Sequence, residues 1–214
     1  MRRKSRQRRD LSQCDPRRAF LDATYESAYL PSYFEGSRWA LPVWPEVVQG
    51  QGTCYANTDV YPADGRGATY SMAFIGVKHL GAGQYYLMTM KDKQGRPLKG
   101  NNTYRLNLPA NVPVKQYWSV TAYDRETHAL IRNMARASRS SQNPELKTNN
   151  DGSVNLYFGP KAPLGNDPNW VPTDPRREFE LMLRLYGPEK ALFDKTWELP
   201  DVEETAADQA DQAA

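Results

Sequence analysis

Between Tyr85 and Tyr186, apolar side chains recur at every second position in short runs, each closed by turn-forming residues. Successive side chains of an extended chain point to opposite faces, so each run buries one face and presents the other. In Thr103 to Leu108, Tyr104, Leu106 and Leu108 oppose Arg105 and Asn107. In Gln116 to Tyr123, Trp118, Val120 and Ala122 oppose Tyr117, Ser119, Thr121 and Tyr123. Val154, Leu156 and Phe158 oppose Asn155 and Tyr157, and Phe179, Leu181, Leu183 and Leu185 oppose Glu180, Met182, Arg184 and Tyr186. Tyr85 to Lys91 adds a further strand between Gly81-Ala82-Gly83 and Asp92-Lys93-Gln94-Gly95.

Short strands with no helices between them call for an all-β fold, an antiparallel β-sandwich of jelly-roll type. Asp124 to Thr127 reverses the chain into His128 to Ile131, and Asn150-Asp151-Gly152 is a hairpin signal. A hydrophobic share of 39% with 25% charged residues is an ordinary globular balance. Two helical pieces are expected. Asp15 caps an N-terminal helix with Pro16 at its first position and Pro31 at its end, and Pro188 opens a short C-terminal helix to about Thr196. No apolar run approaches the length of a membrane span.

Charge divides the chain. Residues 1–18 hold eight basic residues against Asp10 and Asp15, while the last fourteen carry five acids and no base. The expected organisation is a disordered basic head over 1–14, a helix over 15–32, a jelly-roll domain over 33–200 and a disordered acidic tail over 201–214. The body has no basic stripe, so no nucleic-acid partner is expected. Arg17-Arg18-Ala19-Phe20-Leu21 has the look of a twin-arginine export signal, but Asp22 and Glu26 interrupt the apolar stretch such a signal needs. The expected compartment is cytoplasmic. Cys14 and Cys54 match no metal or redox spacing and read as free thiols.

Several stretches resemble, in order, a bacterial domain-of-unknown-function family, number 1214. They are Tyr33 to Pro42 (YFEGSRWALP), Pro113 to Asp124, Tyr157 to Pro163, Asn169-Trp170-Val171-Pro172-Thr173, Leu183 to Pro188 and Phe193 to Pro200. The resemblance implies a jelly-roll β-sandwich with no established activity or catalytic residues. It also implies relatives roughly twice as long, with a companion domain of family 1254 and an export signal ahead, which would place them in the cell envelope. This chain departs on both counts.

His79 and His128 lack further ligands at metal spacing, so no metal is expected. Gly65-Arg66-Gly67 and Gly81-Ala82-Gly83 lack the strand and helix of a dinucleotide loop, and no Gly-x-Ser-x-Gly elbow occurs. No cofactor is expected. Asp59 and Asp64 read as turn residues. The faces opposite the apolar ones carry a more suggestive set: Arg105, Tyr123, Tyr157, Arg184 and Tyr186, with Asn107, Thr121 and Asn155 beside them. On one sheet these would suit a polar small molecule such as a sugar or organic acid, because tyrosine rings stack, arginine forks hold anions and asparagine both donates and accepts. The same face would suit a companion domain or a second copy in a homo-oligomer; the plainer alternative is polar residues facing water. Trp118, Trp170 and Trp197 are assigned to packing. The rival reading is a hydrolase or lyase with Asp124 or Asp174 as base beside Tyr123 and Arg184.

Overall fold

The computed structural model describes residues 32–43, 47 and 83–205. The basic head, the expected helix over 15–32 (except Ser32, which bridges Ala40), both cysteines, His79, Asp59, Asp64, Gly65-Arg66-Gly67 and the end of the acidic tail lie outside the described residues. The described strands are β1 (Gln84–Thr89), β2 (Thr103–Leu108), β3 (Val114–Asp124), β4 (Ala129–Leu130), β5 (Ser138–Ser140), β6 (Val154–Gly159), β7 (Trp170–Pro172), β8 (Phe179–Pro188) and β9 (Glu203–Thr205). They form two sheets. Sheet I runs β1-β8-β3-β4, with β5 also paired to β3, and sheet II runs β7-β6-β2-β9. All pairings are antiparallel except β6 with β7.

The two sheets face each other across the apolar sides of the alternating runs. Leu106, Leu156 and Phe158 from sheet II and Val120, Leu181, Leu183 and Leu185 from sheet I are completely buried in one cluster. Trp118 and Trp197 belong to it, as assigned. The molecule is an all-β sandwich, its apolar interior being the area removed from water by apposing two one-sided sheets. The Asp124 turn brings β4 back along β3, with Asp124 opposite Ala129. A short helix, α1 (Lys190–Phe193), follows β8 where Pro188 announced it.

Three expectations change. The far side of sheet I is not a water-facing surface: Met88, Met182 and Glu180 are fully buried and Tyr123 nearly so. Ala40 hydrogen-bonds with Met88 along the edge of β1 away from β8, and Ala40, Met88, Met90, Tyr123 and Met182 form a second apolar cluster there. Alternation shows that a side chain points away from one layer, not that water lies beyond it. Second, the Asn150-Asp151-Gly152 turn forms but joins no hairpin, since β6 pairs with β2 and β7. The turn closes on itself, the Asn149 N–H donating to the Ser153 carbonyl at 2.8 Å and the Gly152 N–H to the Asn149 carbonyl at 2.9 Å. Third, the chain beyond 201 starts as structure: β9 pairs with β2 as an edge strand. Its acids meet bases from the body, Glu203 with Lys93 and Arg105, and Glu204 with Arg96. An acidic run is a tail only where nothing basic faces it.

Candidate functional site: a polar cleft on the outer face of sheet II

The register of β2 against β6 sets Arg105 opposite Tyr157 and Asn107 opposite Asn155. Because Leu106 and Leu156 fill the interior, these four side chains turn to the outside of sheet II. The chain segments before β6 and before β7 rise on either side of them. Together they enclose a cleft of about 710 Å³, lined by Arg105, Asn107, Ser153, Asn155 and Tyr157, by residues 147–151 and by Leu164, Gly165, Asn166 and Asn169.

Its floor is a relay of amides. Asn107 Nδ2 donates to Asn155 Oδ1 at 2.9 Å and to Ser153 Oγ at 3.3 Å. Asn155 Nδ2 donates to Asn149 Oδ1 at 3.3 Å, and Asn149 Nδ2 to Ser153 Oγ at 2.8 Å. Buried amides cost free energy unless paired, so this relay holds the floor in one arrangement. Asn169, 3% exposed, buckles the wall to the sheet. Its Oδ1 accepts from the Lys147 N–H at 2.8 Å, and its Nδ2 donates to the Lys147 carbonyl at 2.8 Å and the Asn155 carbonyl at 2.9 Å. Lys147 Nζ crosses to the Gly165 carbonyl at 2.7 Å, joining the two walls.

The charges in and beside the cleft nearly cancel. Arg105 Nη2 donates to Glu203 Oε2 at 3.1 Å. The Lys93 hydrogen bond to Glu203, helped by Arg105 and only partly opposed by burial, holds that carboxyl below its usual range. Hydrogen bonds from the Ser153 hydroxyl and N–H do the same for Asp151. At the edge of the sheet Trp170 lies beside Tyr157 in register, and the Arg136 guanidinium sits over its ring at 5.8 Å. Trp170 therefore belongs to the outer face, not to the interior.

Tyr123, Arg184 and Tyr186 lie elsewhere, on the outer face of sheet I. Arg184 stands between Tyr86 and Tyr123, 5.4 Å from each ring centroid, donates to Thr121 Oγ1 at 2.9 Å and hydrogen-bonds the Tyr123 hydroxyl. Tyr117 stacks on Tyr186 with centroids 4.1 Å apart. Burial and the hydrogen bond with Tyr117 push the Tyr186 phenol up to about 12, so it stays protonated at neutral pH.

Asp124 and Asp174 are both engaged by neighbours. Asp124 Oδ1 accepts from the Thr127 N–H at 2.8 Å and hydroxyl at 3.0 Å, and Arg177 Nη1 approaches Oδ2 to 2.9 Å. Burial alone would raise its proton affinity, but these donors outweigh it and lower it. Asp174 accepts from the Arg176 side chain and N–H, which lower it to about 2. Among the described residues no group of three or more His, Cys, Asp or Glu could hold a metal ion. Nor is any described helix long and apolar enough to cross a membrane.

The family model described as a protein of unknown function, DUF1214, matches residues 83–190, just over half of the chain. The chain belongs to the DUF1214 family. The match contains both faces described above. No curated protein matches the chain. The crystal structure of the VPA0106 protein from Vibrio parahaemolyticus is similar, at 22% identity and a TM-score of 0.55, over 69% of this chain and 36% of that one. An uncharacterized protein from Burkholderia cenocepacia is 16% identical with a TM-score of 0.44, over 58% of this chain and 30% of that one. This DUF1214 chain thus spans about a third of the length of the solved chains it matches.

The five residues singled out from this DUF1214 sequence therefore divide between two sheets. Arg105 and Tyr157 come together on sheet II; Tyr123, Arg184 and Tyr186 come together on sheet I. The other lining residues, Lys147, Asn149, Asn150, Ser153, Asn166 and Asn169, were not singled out as site residues. Their signal was the density of asparagine in the two segments flanking β7 and β6, read as turn chemistry alone.

Proposed function

We propose that this DUF1214 protein is a binding module and that its ligand is a polar small molecule, a sugar or an organic acid, held in the sheet II cleft. The observation that carries the reading is the hydrogen-bonded amide floor beneath a cleft of about 710 Å³, a volume within the range of roughly 300–1,000 Å³ common to small-molecule sites. A floor already fixed by its own hydrogen bonds loses little freedom when a ligand arrives. Arg105 supplies a cation, and the Tyr157 ring, 4% exposed, is packed beside it in register.

The lyase or hydrolase reading finds less support. A general base needs a proton affinity near neutrality, whereas Asp124 and Asp174 are both held below the ordinary carboxylate range by their own donors. The face around Arg184 favours a different role. Arg184 stands between the rings of half-buried Tyr86 and buried Tyr123, with the stacked, half-buried Tyr117 and Tyr186 on the same face, and interfaces concentrate tyrosine and arginine. A companion domain or a second copy is the occupant that face suits.

A thermal-shift screen against sugars and organic acids tests the cleft reading, because a ligand that binds the folded state raises the melting temperature by mass action. The expected result is a dose-dependent rise that Arg105→Ala or Asn150→Ala diminishes. A rise that both variants retain would place the ligand elsewhere.

A further inference from the structure

Resting on the cleft reading, we infer that the ligand is an uncharged, hydroxyl-rich chain, a short neutral oligosaccharide, and not an acid. The first argument is electrostatic. The lining carries Arg105 and Lys147 against Asp151, and Glu203 already faces Arg105 at 3.1 Å. Lys147 Nζ keeps its charge but is tied to the Gly165 carbonyl at 2.7 Å. An acid would gain little from these two cations, each already tied to a carboxylate or a carbonyl, and would lie near Asp151 and Glu203.

The second argument is the kind of polar atom left open. Among the described residues, Asn107 Oδ1, Asn166 Oδ1 and the whole Asn150 amide make no hydrogen bond within the chain, and Arg105 uses only Nη2. Acceptors thus stand among donors. A hydroxyl both donates and accepts and satisfies such a mixture; a carboxylate only accepts and leaves the amide oxygens unpaired. The third argument is Leu164, 80% exposed at the cleft's edge. An apolar side chain beside an amide floor suits the C–H face of a sugar ring.

Isothermal titration of the full chain with maltopentaose, cellopentaose and N-acetylated chitopentaose, against citrate and trigalacturonate, decides the matter. At least one neutral oligosaccharide is expected to bind with an affinity that is unchanged when ionic strength rises, because no ion pair forms. Asn107→Asp should weaken it about tenfold or more, equivalent to ~1.4 kcal/mol. Asn150→Ala and Leu164→Ser change exposed side chains without intramolecular hydrogen bonds, so both variants fold and should also weaken binding. Binding confined to citrate or trigalacturonate and lost with salt would overturn the inference while leaving a polar-ligand cleft. Neutral binding undiminished in all three variants would overturn it too. Binding of neither class would overturn the cleft reading itself.

Discussion

Asn169 shows how much one side chain can hold in place. It is almost fully buried and makes three hydrogen bonds, two to the Lys147 backbone and one to the β6 backbone. Asn169→Ala leaves those backbone groups unpaired and should cost about 2–4 kcal/mol, read as a lower urea midpoint with an unchanged slope. Binding in the cleft should fall with it, since the Lys147 wall loses its anchor. Arg184 is the counterpart on sheet I. With two rings and two hydroxyl partners around it, Arg184→Ala should destabilise by about 1–3 kcal/mol and leave the cleft's affinity unchanged. An Arg184→Ala protein as stable as the parent would show that the ring contacts contribute nothing. At this scale the sequence was informative about direction and silent about company. It showed that Arg105 and Arg184 point away from the apolar side, but a period of two names a face of a strand and not the sheet to which the strand belongs.

Among the elements, the turn before β2 packs closely against the connection between β7 and β8. The backbone of Gly100 lies so close to it that an added Cβ would stand 2.0 Å from the Asp174 carbonyl oxygen. The Gly100 N–H donates to the Arg177 carbonyl at 2.8 Å and its carbonyl accepts from Thr173 Oγ1 at 2.8 Å. Gly100→Ala must push two backbone segments apart, so a loss of more than about 3 kcal/mol is expected, or failure to accumulate as folded protein. Circular dichroism melting of the purified variant checks it; a parental melting temperature would contradict the close approach. The strands themselves were legible because apolar alternation and turn residues are local properties. β9 was not, for its pairing depends on Lys93, Arg96 and Arg105, which lie about a hundred positions earlier in the chain. The cleft was hidden for another reason: part of its floor was readable from β2 and β6, while its walls are neighbouring loops whose asparagines announced turns and nothing more.

For the whole molecule, acid is the revealing variable. Asp124, Asp151, Asp174 and Glu203 all bind protons less readily in the fold than their ordinary values of 3.8 for Asp and 4.5 for Glu. A lowered carboxylate contributes stability that is fully present above its unfolded value and disappears as pH falls through its folded one. Stability should therefore be level above about pH 5 and decline from about 4.5 toward 2, the value of Asp174. Urea midpoints across that range check it; stability that rose on acidification would contradict the assigned partners. The sandwich and its strand faces follow from patterning, whereas the site follows from how the outer face of sheet II and the segments before β6 and before β7 are brought together. The most direct test of the polar cleft is a titration of nitrogen-15-labelled protein with the neutral oligosaccharides and organic acids, followed through the asparagine side-chain amides. The account predicts that the Asn107, Asn150 and Asn166 amide resonances shift together with Arg105 while the residues around Arg184 stay still. Shifts gathered on Tyr117, Arg184 and Tyr186 instead, or amides of the cleft that respond to no ligand of either class, would contradict it.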